Sequence, residues 1–280
     1  MHSQANMAVI TEQPSRYRHI EKMSIGEITA HINDEDKLVP LAIEKALPQL
    51  NILIEVIVEK LKAGGRLFYL GAGSGGRLSV LDVIELPTTY GIAPDIIQVI
   101  LAGGVEHLVE ALEEKEDDRA AGWQMLLEKK VSTKDIVIGI SASGTTPFVL
   151  EGMKQCREHK ITTGCIVSNP DSPIADQAVY PVEVITGAEF ITGSTRMKCG
   201  TAQKLIFDMI STTTMSKMGR ILDNQMVHVK LINNKIITRA VKMLMNNAGI
   251  SDYTKAKDIL ITHGSVQKAL DYLAQKNTSH

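Results

Sequence analysis

Apolar and polar positions follow two different periods along the chain, and the order of these periods predicts the fold. Between Ser24 and Gly65 the apolar residues recur every three or four positions, as on one face of a helix. Ser24 precedes Glu27 by three residues, the spacing of a capping box. Pro48 is expected to kink or break the helical run. The chain is therefore expected to begin with helices.

Five short apolar runs then alternate with segments of helical pattern. The runs are residues 66–73, 95–104, 135–144, 162–170 and 180–187. The helical segments between them are residues 105–130, 147–160 and 172–178. Strands that alternate with helices predict an α/β fold with a central parallel sheet flanked by helices on both faces. Ligands of such sheets bind at the carboxyl ends of the strands.

The remaining chain is helical in pattern. Residues 201–247 predict two helices joined at Gly219–Asn224. Residues 251–273 have helix-turn-helix character, with caps at Ser251 and Asp252. We predict an N-terminal arm (1–20), a main α/β domain (21–247) and a small C-terminal helical domain (248–280).

Composition narrows the function classes. The 280 residues are 44% hydrophobic, and 30 basic residues nearly balance 32 acidic ones. This balance does not favour binding to nucleic acid or to an anionic membrane. No apolar stretch approaches the length of a membrane span, and the first thirty residues lack an apolar signal core. The three cysteines lack metal-type spacing, which favours a reducing, cytoplasmic compartment.

A glycine cluster follows the first predicted strand. Gly71, Gly73 and Gly76 have the spacing of a dinucleotide-binding loop, but no acidic residue closes the next strand to bind a ribose. A glycine loop between a strand and a helix also directs backbone N–H groups toward an anion. Gly73, Ser74 and Gly75 are therefore candidate anion-binding residues.

Two further clusters have the same character. Ser143, Gly144, Thr145 and Thr146 end the third predicted strand, just before a helix that opens at Pro147. An ordinary capped turn would explain this cluster alone, but two clusters on one sheet favour a phosphorylated ligand that is not a nucleotide.

The third cluster lies in a glycine-flanked turn before the next helix. It contains Ser194, Thr195, Arg196 and Lys198, and its two cations would balance a phosphate or carboxylate. The alternative is a solvated helix start with ordinary charges, which explains the flanking glycines poorly.

Two carboxylates are candidates for acid–base chemistry. Glu85 has apolar neighbours in sequence, so its pKa is raised if these neighbours enclose it, whereas an exposed position near a helix end is equally compatible with the pattern. Glu116 lies in an acidic run that composition alone predicts to be a solvated helix face. The eight histidines show no metal-binding spacing, and Ser143 lacks a nucleophile-elbow motif.

Several of these stretches resemble one known family. "RLFYLGAGSGGRLSVLD", "ELPTTYG", "LAGGVEHLVEALEEKEDD", "GISASGTTPFV" and "GAEFITGSTRMKCGTAQK" are similar to the N-acetylmuramic acid 6-phosphate etherases. This family is a branch of the sugar-isomerase (SIS) fold, to which the glucokinase regulatory protein also belongs. The resemblance extends over about residues 10–270 and implies an SIS-type sandwich with a small helical end domain.

The resemblance also implies a reaction and its residues. The family cleaves the D-lactyl ether of its substrate by elimination and water addition, which gives N-acetylglucosamine 6-phosphate and D-lactate without a cofactor or metal. The resemblance places its two essential glutamates on Glu85, as the acid/base at the ether oxygen, and on Glu116, as the base at C2. Family members are homodimers with the active site near the subunit boundary.

The chain departs from the family in the first glycine loop. Where the family usually reads G-T-S-G-R-L-G, this chain has Gly73-Ser74-Gly75-Gly76 and then Arg-Leu-Ser. Loss of a hydroxyl that binds a charged phosphate costs roughly 1.5–3 kcal/mol, unless Ser74 or Ser79 replaces it. The change leaves open a non-catalytic sugar-phosphate-binding regulator and an aldose–ketose isomerase as alternatives to the etherase.

Overall fold

The computed structural model describes residues 9–110 and 112–278. Its central element is a parallel five-stranded sheet in the order β2–β1–β3–β4–β5. The strands are β1 Leu67–Gly71, β2 Ile97–Leu101, β3 Ile136–Ser141, β4 Thr162–Val167 and β5 Tyr180–Glu183. The helices along this part of the chain are α1 Ile25–Asp36, α2 Leu38–Lys62, α3 Gly73–Thr89, α4 Ala121–Glu128, α5 Pro147–Glu158 and α6 Lys198–Lys217. The predicted α/β sandwich is therefore confirmed.

Both faces of the sheet are buried, as its nearly continuous apolar strands require. Phe68 and Leu70 point to one face and join a core with Phe148 of α5. Tyr69 points to the opposite face, since side chains alternate along a strand, and its ring lies 5.2 Å from the ring of Phe207 on α6. Helices on both faces leave the strand ends as the place where loops can form a site.

Three local predictions differ from the structure. The described residues of 105–130 form two short 3₁₀ turns, Val105–His107 and Glu113–Asp117, and of these residues only those near the end of the segment form the helix α4. Like charges three or four residues apart destabilise a helix, and this segment contains a dense acidic run. Residues 172–178 contain only the 3₁₀ turn Ala175–Gln177. Pro48 does not break helix α2, whose extensive buried face offsets the cost of the proline, and the predicted kink stays a prediction.

Contacts divide the chain into two compact units. The first unit contains the described residues up to Val83 together with Asp95–Ile210, and it includes the sheet. The second contains Ile84–Pro94 and the described residues from Ser211 onward. The predicted domain boundary at 247/248 stays a prediction.

The second unit has its own apolar core. It contains a hairpin of β6 Ile221–Leu222 and β7 Gln225–Met226, followed by α7 Asn234–Ala248, α8 Tyr253–His263 and α9 Val266–Thr278. Asp252 caps α8 as predicted, since its side chain accepts a hydrogen bond from Lys255 N. The first strand of the hairpin lies in the predicted joint Gly219–Asn224, and the second strand follows it. Among the described residues, no helix combines the length and apolar character needed to cross a membrane.

The described part of the predicted N-terminal arm packs on the first unit. Thr11 is fully buried, and its backbone N–H donates to Asn169 Oδ1 at 3.2 Å. Ser15 Oγ donates to the carbonyl of Phe190 at 2.7 Å. These bonds hold the segment beside the loops that follow β4 and β5.

Candidate active site

The loop after β1 turns directly into α3. Gly73, the first residue of the helix, has φ of +51°, a conformation that favours glycine. A Cβ on Gly71 would lie 2.9 Å from the Cα of Gly76, so the turn also requires close backbone approach. The first N–H groups of a helix have no intrahelical partners, which makes this turn suited to an anion.

The loop after β3 carries a connected set of hydroxyl groups. Ser141 Oγ lies 2.8 Å from Thr146 Oγ1 and 3.2 Å from Ser143 Oγ. Thr145 Oγ1 donates to Ser143 Oγ at 3.0 Å, and Gly144 has φ of +73°. Each hydroxyl group can rotate to donate a hydrogen bond to a ligand whose oxygens only accept, such as an ionised phosphate ester.

The side-chain amide of Asn169 holds this hydroxyl loop in place through hydrogen bonds to its backbone. Its Nδ2 donates to the carbonyls of Ala142 and Ser143 at 3.2 and 3.1 Å, and to Thr11 Oγ1 at 3.0 Å. The side chain is 5% exposed. The loop and the N-terminal segment are therefore held by one buried amide.

A cavity of about 310 Å³ lies between the two loops. The predicted residues that line it are Gly73, Ser74, Gly75, Glu116, Ser143, Thr146 and Thr195. The other lining residues are Glu12, Ala72, Glu113, Ile140, Ser141, Ala142 and Gln203. Two of the three predicted anion-binding clusters thus meet in one cavity, together with one of the two predicted glutamates.

Glu116 and Glu113 face the glycine loop. A Cβ on Gly73 would lie 3.9 Å from an Oε2 atom of each glutamate. Burial raises the pKa of Glu116 above the ordinary glutamate value, the charges of Glu113 and Asp117 raise it further, and the positive charge of Arg77 lowers it in part. Arg77 Nη2 donates to Glu113 Oε1 at 3.1 Å. A carboxylate with a raised pKa is a stronger base than an ordinary one.

Glu85 is not among the residues that line the cavity. It lies near the carboxyl end of α3, and its side chain is exposed. Of the two interpretations left open by the sequence, the structure shows the exposed position near a helix end. The role of Glu85 stays a prediction that rests on its motif.

The third predicted cluster is mostly turned away from the cavity. The carboxylate of Glu189, 1% exposed, accepts from the backbone N–H groups of Lys198 and Cys199 at 2.9 and 3.0 Å. The start of α6 is therefore already occupied by a carboxylate of the chain itself. Lys198 Nζ donates to Glu35, and the side chain of Arg196 is exposed. Of this cluster, Thr195 lines the cavity, whereas Ser194, Arg196 and Lys198 do not.

Several cavity residues were not identified from the sequence. Glu12 lies in the segment predicted to be an arm, and Gln203 lies inside α6. Glu12 belongs to no quoted motif, whereas Gln203 lies in the "GAEFITGSTRMKCGTAQK" stretch but was not predicted as a site residue; the tertiary fold brings both to the strand ends. Ser79, a predicted substitute for the missing hydroxyl at position 75, is fully buried and donates to the carbonyl of Gly76 at 2.7 Å. Among the described residues, no three acidic, histidine or cysteine side chains are grouped to hold a metal ion.

Comparison with known proteins agrees with this geometry. Residues 49–157 match the model of the glucokinase regulatory protein N-terminal SIS domain, and residues 121–212 match the SIS domain model. The fold is similar to that of a putative phosphosugar isomerase involved in capsule formation from Bacteroides fragilis, with a TM-score of 0.51 at 21% identity. That match covers 70% of this chain and 91% of the isomerase chain. The fold and the site thus define a protein of the SIS-domain class.

Relatives of higher identity define the family within this class. An N-acetylmuramic acid 6-phosphate etherase of Bacteroides thetaiotaomicron is 48% identical over 270 residues, which are 96% of this chain and 97% of the relative. One from Porphyromonas gingivalis is 48% identical over 267 residues, covering 95% and 97% of the two chains. The chain belongs to the N-acetylmuramic acid 6-phosphate etherase family, and the predicted resemblance is confirmed.

Proposed function

We propose that this protein cleaves the D-lactyl ether of N-acetylmuramic acid 6-phosphate, giving N-acetylglucosamine 6-phosphate and D-lactate. It would act as a carbon–oxygen lyase in the recycling of cell-wall amino sugars. The proposal rests on one observation. A single cavity is lined both by hydroxyl groups of the loop after β3 and by Glu116, whose pKa is raised. The etherase names of close relatives along nearly the whole chain support the same reaction.

Each part of the reaction has a candidate residue. The first turn of α3 and the hydroxyls of Ser143 and Thr146 bind the phosphate, leaving the sugar toward the carboxylates. The sugar opens to its aldehyde, which makes the C2 proton acidic and accepts the electron pair. Glu116 removes that proton, and lactate leaves from C3 as Glu85 protonates the ether oxygen. Glu85 then deprotonates the water that adds at C3, and C2 is reprotonated.

A lactate-release assay tests this proposal directly. The purified protein is incubated with N-acetylmuramic acid 6-phosphate, and D-lactate is measured against Glu85→Ala and Glu116→Gln variants. We expect release by the wild-type protein and a loss of at least 100-fold in each variant. Lactate release no faster than in these variants contradicts the etherase. Thermal stabilisation by the sugar phosphate without lactate release would instead identify a regulator.

We also propose a cytoplasmic homodimer with its active site near the subunit boundary. Large apolar side chains remain exposed on α1 and α2, including Ile25 at 83%, Leu41 at 54% and Ile52 at 52%. The three cysteines are buried and unpaired, as in a reducing compartment. Light scattering gives the mass of the assembly. If the site combines residues of two subunits, mixing Glu85→Ala and Glu116→Gln subunits restores part of the activity.

A further inference from the structure

Gln203 has a position that ordinary packing does not explain. It lies on α6 and is 3% exposed, yet it lines the cavity between the two loops. The hydrogen bonds of the described residues include none to its side-chain carboxamide. Two N–H donors and a carbonyl acceptor are thus held at the wall of a polar cavity without a protein partner.

The carboxamide faces the cavity and is not one of the fully enclosed polar groups without a partner among the described residues. A polar group left free at a cavity wall is available to bind what enters the cavity, and displacing its solvent without replacing that hydrogen bond costs about 1–3 kcal/mol. Since the carboxamide adjoins the cavity, the cavity's own ligand is the natural partner.

The immediate neighbours of Gln203 show which part of the ligand it reaches. A Cβ built on Gly75 would lie 3.0 Å from Gln203 Oε1, 3.1 Å from Nε2 and 2.9 Å from Ile140 Cγ2. The carboxamide thus stands beside the first turn of α3, in the space that a side chain at position 75 would enter. Ile140 directly precedes Ser141 and the hydroxyl loop. The carboxamide therefore lies between the first turn of α3 and the strand that leads into the hydroxyl loop, both of which offer hydrogen-bond donors.

We propose that Gln203 is a phosphate-binding residue whose carboxamide N–H donates to a phosphate oxygen of the sugar phosphate bound at the first turn of α3. It supplies the donor that Gly75 lacks, and the absence of a side chain at Gly75 makes room for it. The inference rests on the proposed function in one respect, the sugar-phosphate nature of the ligand. It assigns a binding role to a residue that lies in the third motif stretch but is not among the predicted site residues.

Binding of the reaction product tests this role without requiring turnover. The dissociation constant of N-acetylglucosamine 6-phosphate is measured by calorimetry for the wild-type protein and for Gln203→Met, which keeps the volume and removes the donor. We expect a roughly 10- to 100-fold weaker binding, as for a lost hydrogen bond to a charged group. Gln124→Met, at an exposed glutamine of the same unit, should bind as the wild type does.

Two further measurements distinguish a phosphate contact from a sugar contact and from a structural role. Competition by inorganic phosphate should weaken by a similar factor in Gln203→Met, and an unchanged competition overturns the proposal. Gln203→Glu should bind more weakly still at neutral pH, and should recover as pH falls and its carboxyl becomes a neutral donor. A purely structural role predicts no such recovery. For turnover, KM should rise far more than kcat falls.

The two proposals fail in different ways. If the wild-type protein binds the product and Gln203→Met does not, the inference stands even when no lactate is released. If lactate is released and Gln203→Met binds product within twofold of wild type, the inference is wrong and the etherase stands. Circular dichroism confirms the fold of each variant, and Gln203→Glu decides the question if the methionine variant does not fold.

Discussion

Lys198 Nζ donates to Glu35 Oε2 at 2.6 Å, and both side chains are almost completely buried. A second cation, Arg16, lies 2.7 Å from the other carboxylate oxygen but is largely exposed. Burial alone would raise the pKa of Glu35, but Lys198 and Arg16 outweigh it, so the pKa is lowered. The cluster joins the N-terminal segment, α1 and the start of α6 in one unit.

Removal of Lys198 should therefore destabilise the protein strongly. Lys198→Met leaves the buried carboxylate of Glu35 without its buried cation, with the exposed Arg16 and a hydrogen bond from Tyr17 as its remaining partners. We expect the free energy of unfolding to fall by about 3–5 kcal/mol, measured by urea denaturation at pH 7. Lys37→Met, which breaks the exposed pair with Asp34, should change it by less than about 1 kcal/mol.

The double variant Glu35→Leu/Lys198→Met checks the physical reason. It removes both buried charges, so its stability should return to near that of the wild type. The lowered pKa of Glu35 contributes stability at neutral pH that is lost as pH falls through that pKa. The double variant should lack this contribution. A double variant as unstable as Lys198→Met would contradict the ion-pair explanation.

Lys198 also shows where prediction from sequence ends. A cation in a glycine-flanked turn before a helix indicated an anion site, and the motif that contains this turn identified the family correctly. The partner of that cation, Glu35, lies 163 positions away in the chain, and the helix start is occupied by Glu189. The strands were predictable because their apolar runs are local patterns. The tertiary pairing of charges was not predictable, because no local pattern encodes it. The entry of Glu12 and Gln203 into the cavity was not predicted either, although Gln203 lies within a motif that carries the family resemblance.

Glu116 should be required for turnover but not for binding. Glu116→Gln removes the base while keeping its size, so kcat should fall by roughly 10²–10⁴, with product affinity within a few-fold of wild type. Since the pKa of Glu116 is raised in the folded protein, its ionisation opposes folding as pH rises above the ordinary glutamate pKa. Glu116→Gln should therefore be more stable than wild type at pH 7 and equal to it at pH 3. A variant that loses affinity and turnover equally would argue for a binding role.

Arg77 should set the pH at which the enzyme becomes active. Its positive charge lowers the pKa of Glu116 and pairs with Glu113, which lies in the same cavity. Arg77→Gln removes that charge, so the pKa of Glu116 should rise further. The acidic limb of kcat/KM, which reports the free enzyme's base, should move to higher pH.

Arg119→Gln is the matched control for this pH profile. Arg119 pairs with Glu151 at 3.1 Å, and neither residue lines the cavity. The acidic limb of kcat/KM in Arg119→Gln should therefore coincide with that of the wild type. If the limb stays in place in Arg77→Gln as well, Glu116 is not the group whose ionisation controls activity.

Gly75 and Gly26 should respond oppositely to the same substitution. Both glycines lie in helices, where alanine normally stabilises by about 0.4–1 kcal/mol through the unfolded state. No atom lies within 4 Å of a Cβ on Gly26, so Gly26→Ala should show that gain. A Cβ on Gly75 would lie 2.9 Å from Ile140 and 3.0 Å from Gln203, and overpacking costs about 1–3 kcal/mol. Gly75→Ala should therefore lose about 1–2 kcal/mol of unfolding free energy in urea. It should also bind N-acetylglucosamine 6-phosphate more weakly, because the displaced Gln203 carboxamide no longer faces the ligand. Equal stabilisation of the two variants would show that the space beside Gly75 is open.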